Sequence, residues 1–379
     1  MLGVAVAAPA AAQSVQFSAI ADAKIGYGTN PFLAPGVTEG SIFANASIEP
    51  RLSYQTARST TALDAKYSRD TYLHDFGYSD TALIGLIRTD QITQFLTGTI
   101  TANFQTSNRD TIGDPNQEVS DPLDIGRRTR TLSASDQLQW QATARDQLSL
   151  GGQFSHQSYG GGQASGLSGE PSDYTQYGTN ASFNHVLDAR TSVGAQVMLS
   201  SVQSKIYPNS RTIQPALTVR RQLSAAWEVD GHVGVVLSHT DGAFARSSTS
   251  LGLGLNICGT YPRSHMCVHI NRDTAPSGYG PLRTTTGASF ELTQNITEHT
   301  RVTLNTQYVQ DSSGVFSIPG QAVARNSKAV IDSAEYDHDL SERISAGFGA
   351  DYRFRSLSGY SNARSYQGTI HIRAKLGRI

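Results

Sequence analysis

The chain has 379 residues, 30 of them basic and 31 acidic, for a formal net charge of −1. That balance supplies no basic stripe, so nucleic acid is not an expected partner. Hydrophobic residues make up 38 % at a mean hydropathy of −0.32, and no run of about 18 apolar residues occurs, which excludes a transmembrane helix.

The first residues, MLGVAVAAPAAA, read as the end of a secretory signal whose Ala-rich tail fits an A-x-A cleavage rule. Residues 1–12 are therefore expected to be a residual signal peptide, and residues 13–379 a single domain. Beyond this segment, 35 Gly and 16 Tyr against 3 Met point to turns and strands.

Period two then dominates, which gives each strand one apolar and one polar face. In the early segment 42–54, Ile42, Ala44, Ala46, Ile48, Leu52 and Tyr54 oppose Asn45, Ser47, Glu49, Arg51 and Ser53. Further on, Trp227, Val229, Val233, Val235 and Leu237 oppose Glu228, Asp230 and His232. Near the end, Tyr366, Gly368, Ile370, Ile372, Ala374 and Leu376 oppose Gln367, Thr369, His371, Arg373 and Lys375. Strands are predicted at 15–28, 41–56, 60–74, 78–88, 92–107, 128–142, 146–158, 175–187, 191–204, 210–223, 227–240, 246–258, 263–272, 283–295, 299–311, 327–338, 341–356 and 364–379. That makes eighteen; losing a hairpin at 78–88 or 327–338 would leave sixteen.

These segments run about 10 to 15 residues, whereas strands of soluble proteins are usually about 5 or 6 and a tilted transmembrane strand needs roughly 9–11. In lipid every backbone polar group must pair internally, which leaves a closed barrel once helices are excluded. The expected fold is all-β: a closed antiparallel transmembrane barrel in the bacterial outer membrane, with lipid as its surroundings. Connections alternate in length. Short turns are predicted at Ala57–Thr60, Arg88–Gln91, Thr143–Asp146, Leu187–Arg190, Thr297–Thr300 and Leu340–Arg343, and long loops at 30–40, 109–126, 159–173, 273–282 and 312–326. Short turns should face the periplasm and long loops the exterior. The loop at 109–126 carries Asp110, Asp114, Glu118, Asp121 and Asp124 and reads as a solvated external loop or as an inward constriction.

Eighteen strands would enclose a water-filled lumen. Predicted lumen-lining residues are Asp22, Lys24, Glu49, Arg51, Arg220, Glu228, Asp230, Arg301, Asp351, Arg353, Arg373 and Lys375, with Asp64, Lys66 and the row Thr97, Thr99, Thr101, Asn103 and Gln105. Rings of one sign select ions; interleaved signs and amides suit neutral hydrophilic solutes, or simply solvate a pore. The two cysteines, Cys258 and Cys267, fall on the same side of adjacent strands around one turn, so a cross-strand disulfide is predicted. His265 and His269 flank Cys267, which leaves a metal site as the alternative reading.

No G-x-S-x-G, H-E-x-x-H or P-loop string occurs. The acidic alternation Glu335, Asp337 and Asp339 reads as the wet face of a strand end. No enzyme activity, cofactor or metal is expected. Tyr27, Phe32, Tyr54, Tyr67, Tyr72, Phe104, Trp140, Tyr308, Tyr352, Phe354 and Tyr366 lie near predicted strand ends, where interfacial girdles belong.

The segment GYGTNPFL at 26–33, followed by SIFANASIEPRLSYQTARSTTALDAKYSRDTY at 41–72, resembles the β-barrel porin 2 group of proteobacterial outer-membrane proteins. Its members often accompany exopolysaccharide or capsule loci. The resemblance implies a passive channel for a hydrophilic polymer, an exopolysaccharide, with periplasmic export or polysaccharide-synthesis proteins as partners. A general diffusion or nutrient-uptake porin for small hydrophilic solutes is the alternative. The end, Leu376-Gly377-Arg378-Ile379, departs from the terminal aromatic that many such barrels carry.

Overall fold

The structure, a computed structural model, describes residues 14–34, 36–73, 77–108, 128–160, 172–242, 246–277, 280–313, 317–318, 321–322, 326–358 and 361–377. The predicted signal segment 1–12, the acidic loop 109–126 and the last two residues lie outside this set.

One sheet holds eighteen strands. They are β1 Ser14–Thr29, β2 Gly40–Gln55, β3 Ser59–Tyr72, β4 Tyr78–Gln91, β5 Leu96–Ser107, β6 Thr129–Gln141, β7 Asp146–Tyr159, β8 Tyr174–Asp188, β9 Thr191–Ser204, β10 Ser210–Gln222, β11 Trp227–Thr240, β12 Arg246–Tyr261, β13 Ser264–Ser277, β14 Gly280–Asn295, β15 Thr300–Ser313, β16 Asn326–Asp339, β17 Ile344–Leu357 and β18 Ala363–Gly377. Each pairs antiparallel with the next. The last also pairs with the first, from Ser18↔Gly377 to Gly28↔Gln367, so the sheet closes and leaves no edge. This is the predicted closed barrel with the higher of the two strand counts. Among the described residues no helix is long and apolar enough to cross a membrane.

Exposure distinguishes the two faces. On β18, Ile370 is 65 % exposed and the adjacent His371 is 1 % exposed. Most large apolar side chains of the barrel stand outward, while buried Asp22, Asp337 and Gln367 face inward. Such a shell is stable only in hydrocarbon, where moving one Leu, Ile or Phe out of water contributes about 1.5–3 kcal/mol. Carboxylates interrupt the outer rows in the middle of two strands. Asp136 on β6 lies opposite Ile100 and Gly152, and Asp332 on β16 lies opposite Thr306 and Tyr352.

The ends of the barrel differ as expected. One end has turns of two to four residues, such as 189–190 and 340–343; the other has the connections 30–39, 108–128, 160–173 and 314–325. Two predicted connections need correcting. Arg88–Gln91 belongs to β4, and the turn is 92–95. Most of 273–282 is strand: β13 runs to Ser277, β14 begins at Gly280, and the ladder shifts register between Ala275 and Ser277. Pro276 made this stretch read as loop, but a proline is tolerated at a bulge because its missing N–H is not called on there. Pro50 and Pro215 are accommodated in a similar way. Pro50 pairs with Ala19 of β1, while the ladder to β3 skips from Ile48 to Arg51. Pro215 pairs with Val197 of β9, while the ladder to β11 skips from Ile213 to Ala216.

Candidate functional site

The inner surface is the candidate site, and the alternation that builds the barrel assigns its residues. The register puts all twelve predicted lumen charges on the inward rows. It brings most of them into pairs with neighbours one strand away. Arg51 Nε lies 3.4 Å from Asp64, Lys66 pairs with Glu49, and Arg220 lies 2.7 Å from Glu228. Asp230 accepts a hydrogen bond from Asn256 Nδ2 at 2.8 Å. Asp351 and Arg353 on β17 and Lys375 on β18 share the same inner rows.

The densest cluster spans β15 to β1. Arg373 Nε lies 3.3 Å from Asp22 on β1, and its Nη atoms lie 3.0 Å from Glu335 and 3.5 Å from Asp337 on β16. Arg301 on β15 reaches Asp337 at 3.3 Å, and Lys24 lies 3.9 Å from Asp22. His371 Nε2 is 2.9 Å from Asp337 and 3.3 Å from Glu335. His371 and Asp337 are two strands apart. Between them, in register with both, is Gly347. A Cβ there would meet the Tyr336 carbonyl oxygen and lie 2.7 Å from His371 Nε2. The missing side chain is what lets β18 and β16 touch across β17.

The periodicity placed Glu335, Asp337 and His371 on a wet face but did not single them out as a unit. Their pairing depends on strand stagger, and the lone local sign was a glycine in the inner row. Glu335, Asp337 and His371 also bring three ligand-type atoms close together. Arg373 and Arg301 already occupy the carboxylates there.

The opposite part of the wall has a different composition. From β4 to β9 the inward rows hold Ser, Thr, Gln and Asn with a few apolar side chains, and no Asp, Glu, Lys or Arg before the turn residue Asp188. At its long-loop end, Tyr174 Oη donates to Gln157 Oε1 at 2.8 Å, and Gln157 Nε2 donates to Tyr159 Oη at 2.7 Å.

Cys258 and Cys267 are directly opposed on β12 and β13, with Cα atoms 4.2 Å apart, and their sulfurs are bonded. His269 turns away to Asn256, Nδ1 to Oδ1 2.6 Å, while His265 Nε2 lies 3.3 Å from Cys267 Sγ. The geometry is that of the disulfide reading.

Two girdle assignments need correcting. Phe32 and Tyr72 are buried and pack with Phe43, with ring centroids 5.5 Å (Phe32–Tyr72) and 5.7 Å (Phe43–Tyr72) apart. Phe43 and Tyr72 are register partners on the inner face, so the segment Asn30–Leu33 tucks into the mouth at the long-loop end. Asn30 fastens it. Its Nδ2 donates to the Ala34 carbonyl and its Oδ1 accepts from the Ala34 N–H, both at 2.9 Å. Asn30 and Leu33 have φ of 42° and 51°. Asn tolerates this region, whereas Leu does so at a cost, here held by its near-complete burial. Alternation could not reveal this cluster because the loop has no period. Tyr27, Trp140 and Tyr366 do stand exposed on the outer face near strand ends.

The sealed sheet, apolar exterior and hydrated interior define a β-barrel of the bacterial outer membrane, porin-like in build. Among solved structures, the FrpB iron transporter from Neisseria meningitidis (F5-1 variant, apoprotein) shares the fold at a TM-score of 0.51 and 6 % identity, over 95 % of this chain and 81 % of that one. Pseudomonas aeruginosa OccK2 (OpdF), solved in complex with glucuronate, aligns at a TM-score of 0.47 and 12 % identity over 96 % and 98 % of the two chains. The outer-membrane protein OpdK from the same organism aligns at 0.48 and 9 % identity over 96 % and 99 %. No family model matches the sequence, and no curated protein matches it. The porin 2 resemblance therefore rests on the segments 26–33 and 41–72 and on the hairpin rhythm of the chain.

Proposed function

We propose that the barrel is a passive outer-membrane conduit for a hydrophilic polymer, an exopolysaccharide, on its way to the cell surface. The observation that carries this reading is the charge arrangement of the inner wall. Acidic and basic side chains neutralise one another in pairs and clusters, and among the described residues no ring of one sign is formed to select ions. A neutral polyhydroxylated chain could exchange its hydrogen bonds with water for bonds to this wall at little net cost. The driving force would then come from periplasmic or inner-membrane synthesis proteins.

Deletion of the gene tests this directly. Polymer trapped in the periplasm, with surface polymer lost and restored by complementation, is the expected result. Unchanged surface polymer would reject it.

The alternative, a diffusion porin for small hydrophilic solutes, draws support from narrowing of the interior. Phe32 and Leu33 fold into one mouth, and β8 and β13, which are not neighbours, approach within 8 Å at Cα. For this reading, deletion would slow uptake of small sugars and leave polymer secretion intact.

A further inference from the structure

We infer that the uncharged wall from β4 to β9 is a contact track for a neutral glycan chain, and that the charged wall facing it is structural scaffold. The inference rests on the conduit reading and adds where the cargo runs and what chemistry it has.

Three observations support it. The first is that, among the described residues, the inward rows of six adjacent strands carry no charge before the turn residue Asp188, in a barrel whose other strands carry inward charge. A uronate or phosphate polymer would find no cation on this wall, whereas a neutral sugar needs none.

The second is that several amides of this wall are unspent. Among the described residues, Gln137, Gln153, Gln176, Asn180 and Gln196 make no hydrogen bond to protein, although each primary amide offers two donors and an acceptor oxygen with two lone pairs. They are also accessible to water. On the charged wall, by contrast, Arg373 alone touches three carboxylates.

The third is that several amides lie flat on cross-strand glycines. Gln153 is opposite Gly178 and Asn180 is opposite Gly151. A Cβ on Gly178 would lie 2.6 Å from Gln153 Nε2, and one on Gly151 would lie 2.6 Å from Asn180 Oδ1. Asn103 lies over Gly85 in the same way, at 3.0 Å. A glycine under each amide lets the side chain lie along the sheet instead of projecting into the bore. The result is a smooth surface of paired donors and acceptors, suited to a ligand that offers hydroxyls at many positions and must slide.

The test uses the full-length barrel reconstituted in planar bilayers. The probes are neutral linear gluco-oligosaccharides, with polyethylene glycols of matched size as polymers that lack hydroxyl donors along the chain. The sugar should interrupt the ion current with a longer residence than the glycol. Combining Gln137→Ala, Gln153→Ala and Asn180→Ala should weaken sugar binding by about tenfold or more, since each lost bond contributes roughly 1 kcal/mol. Glycol block should not change. Neutralising Asp351 and Arg353 on the facing wall by Asp351→Asn with Arg353→Gln, which leaves the net charge unchanged, should keep both ion selectivity and sugar affinity within about twofold.

Sugar affinity unchanged in the triple variant, or lost in the charged-wall variant instead, overturns the track while leaving the conduit standing. A wild-type pore that conducts ions but is never blocked by sugar overturns the conduit reading, and the track with it. Heat-modifiable migration checks that each variant folds. Should the triple variant fail that check, the three single substitutions, each expected to weaken binding severalfold, replace it.

Discussion

The two walls of this barrel answer one demand, a polar surface facing inward, in opposite ways. From β15 through β18 into β1 the wall is ionic and mutually paired: Arg373, Arg301, His371, Glu335, Asp337 and Asp22 contact one another. From β4 to β9 it is uncharged, and amides such as Gln137, Gln153 and Gln196 face water without a protein partner. A buried ion that loses its partner is expensive, so the first wall resists change. A solvated amide loses little when removed, so the second wall is free to serve a ligand.

The contrast can be broken most severely at its glycines. Gly347→Ala should cost several kcal/mol, because the new Cβ meets the Tyr336 backbone oxygen as well as His371. Gly178→Ala should cost under about 1 kcal/mol, because its Cβ meets only the Gln153 side chain, which can swing away. Heat-modifiable migration across a denaturant series measures both. Similar costs would show that the walls do not differ in rigidity.

Removing the central cation comes next. Arg373→Met should destabilise the barrel by roughly 3 kcal/mol, since it strands buried carboxylates, while Gln137→Ala should be near neutral. The same unfolding series compares them.

The third probe lies between the walls. Cys258→Ser with Cys267→Ser removes a link closing a sequence separation of 9, for an expected loss of about 2 kcal/mol. Wild-type barrel under reductant should unfold at the same denaturant concentration as the double variant.

The smallest effect concerns an external clip. Burial pushes the Asp173 carboxyl up, but hydrogen bonds from Lys205 and from the Tyr159 N–H outweigh it and hold it below the ordinary carboxylate range. A folded-state value below the unfolded one contributes stability above the ordinary Asp range near pH 4. That contribution fades as pH falls through the folded value. Asp173→Asn should therefore loosen the segment around Ser172, Asp173 and Lys205 at neutral pH and make no difference in strong acid. Limited proteolysis with acid-stable and neutral proteases reads this out.

Most of the architecture was legible in the residues. All eighteen strands were found within a few residues of their observed ends, because alternation is carried by each strand alone. The stretch at 273–282 was misread because Pro276 and the neighbouring glycines carry loop chemistry, while the pairing that overrides them comes from the adjacent strands. Phe32 and Tyr72 were misread because being near a strand end says nothing about which face a loop residue joins.

Local pattern thus sets which side of the sheet each residue faces, and with it an oily exterior, a wet interior and the opposition of Cys258 to Cys267. Which inner residues meet is another matter. Asp22 and Arg373, 351 positions apart, become neighbours through closure of β1 on β18. His371 finds Asp337 because stagger sets Gly347 between them. Register and shear are properties of the closed sheet as a whole, and no single strand encodes them.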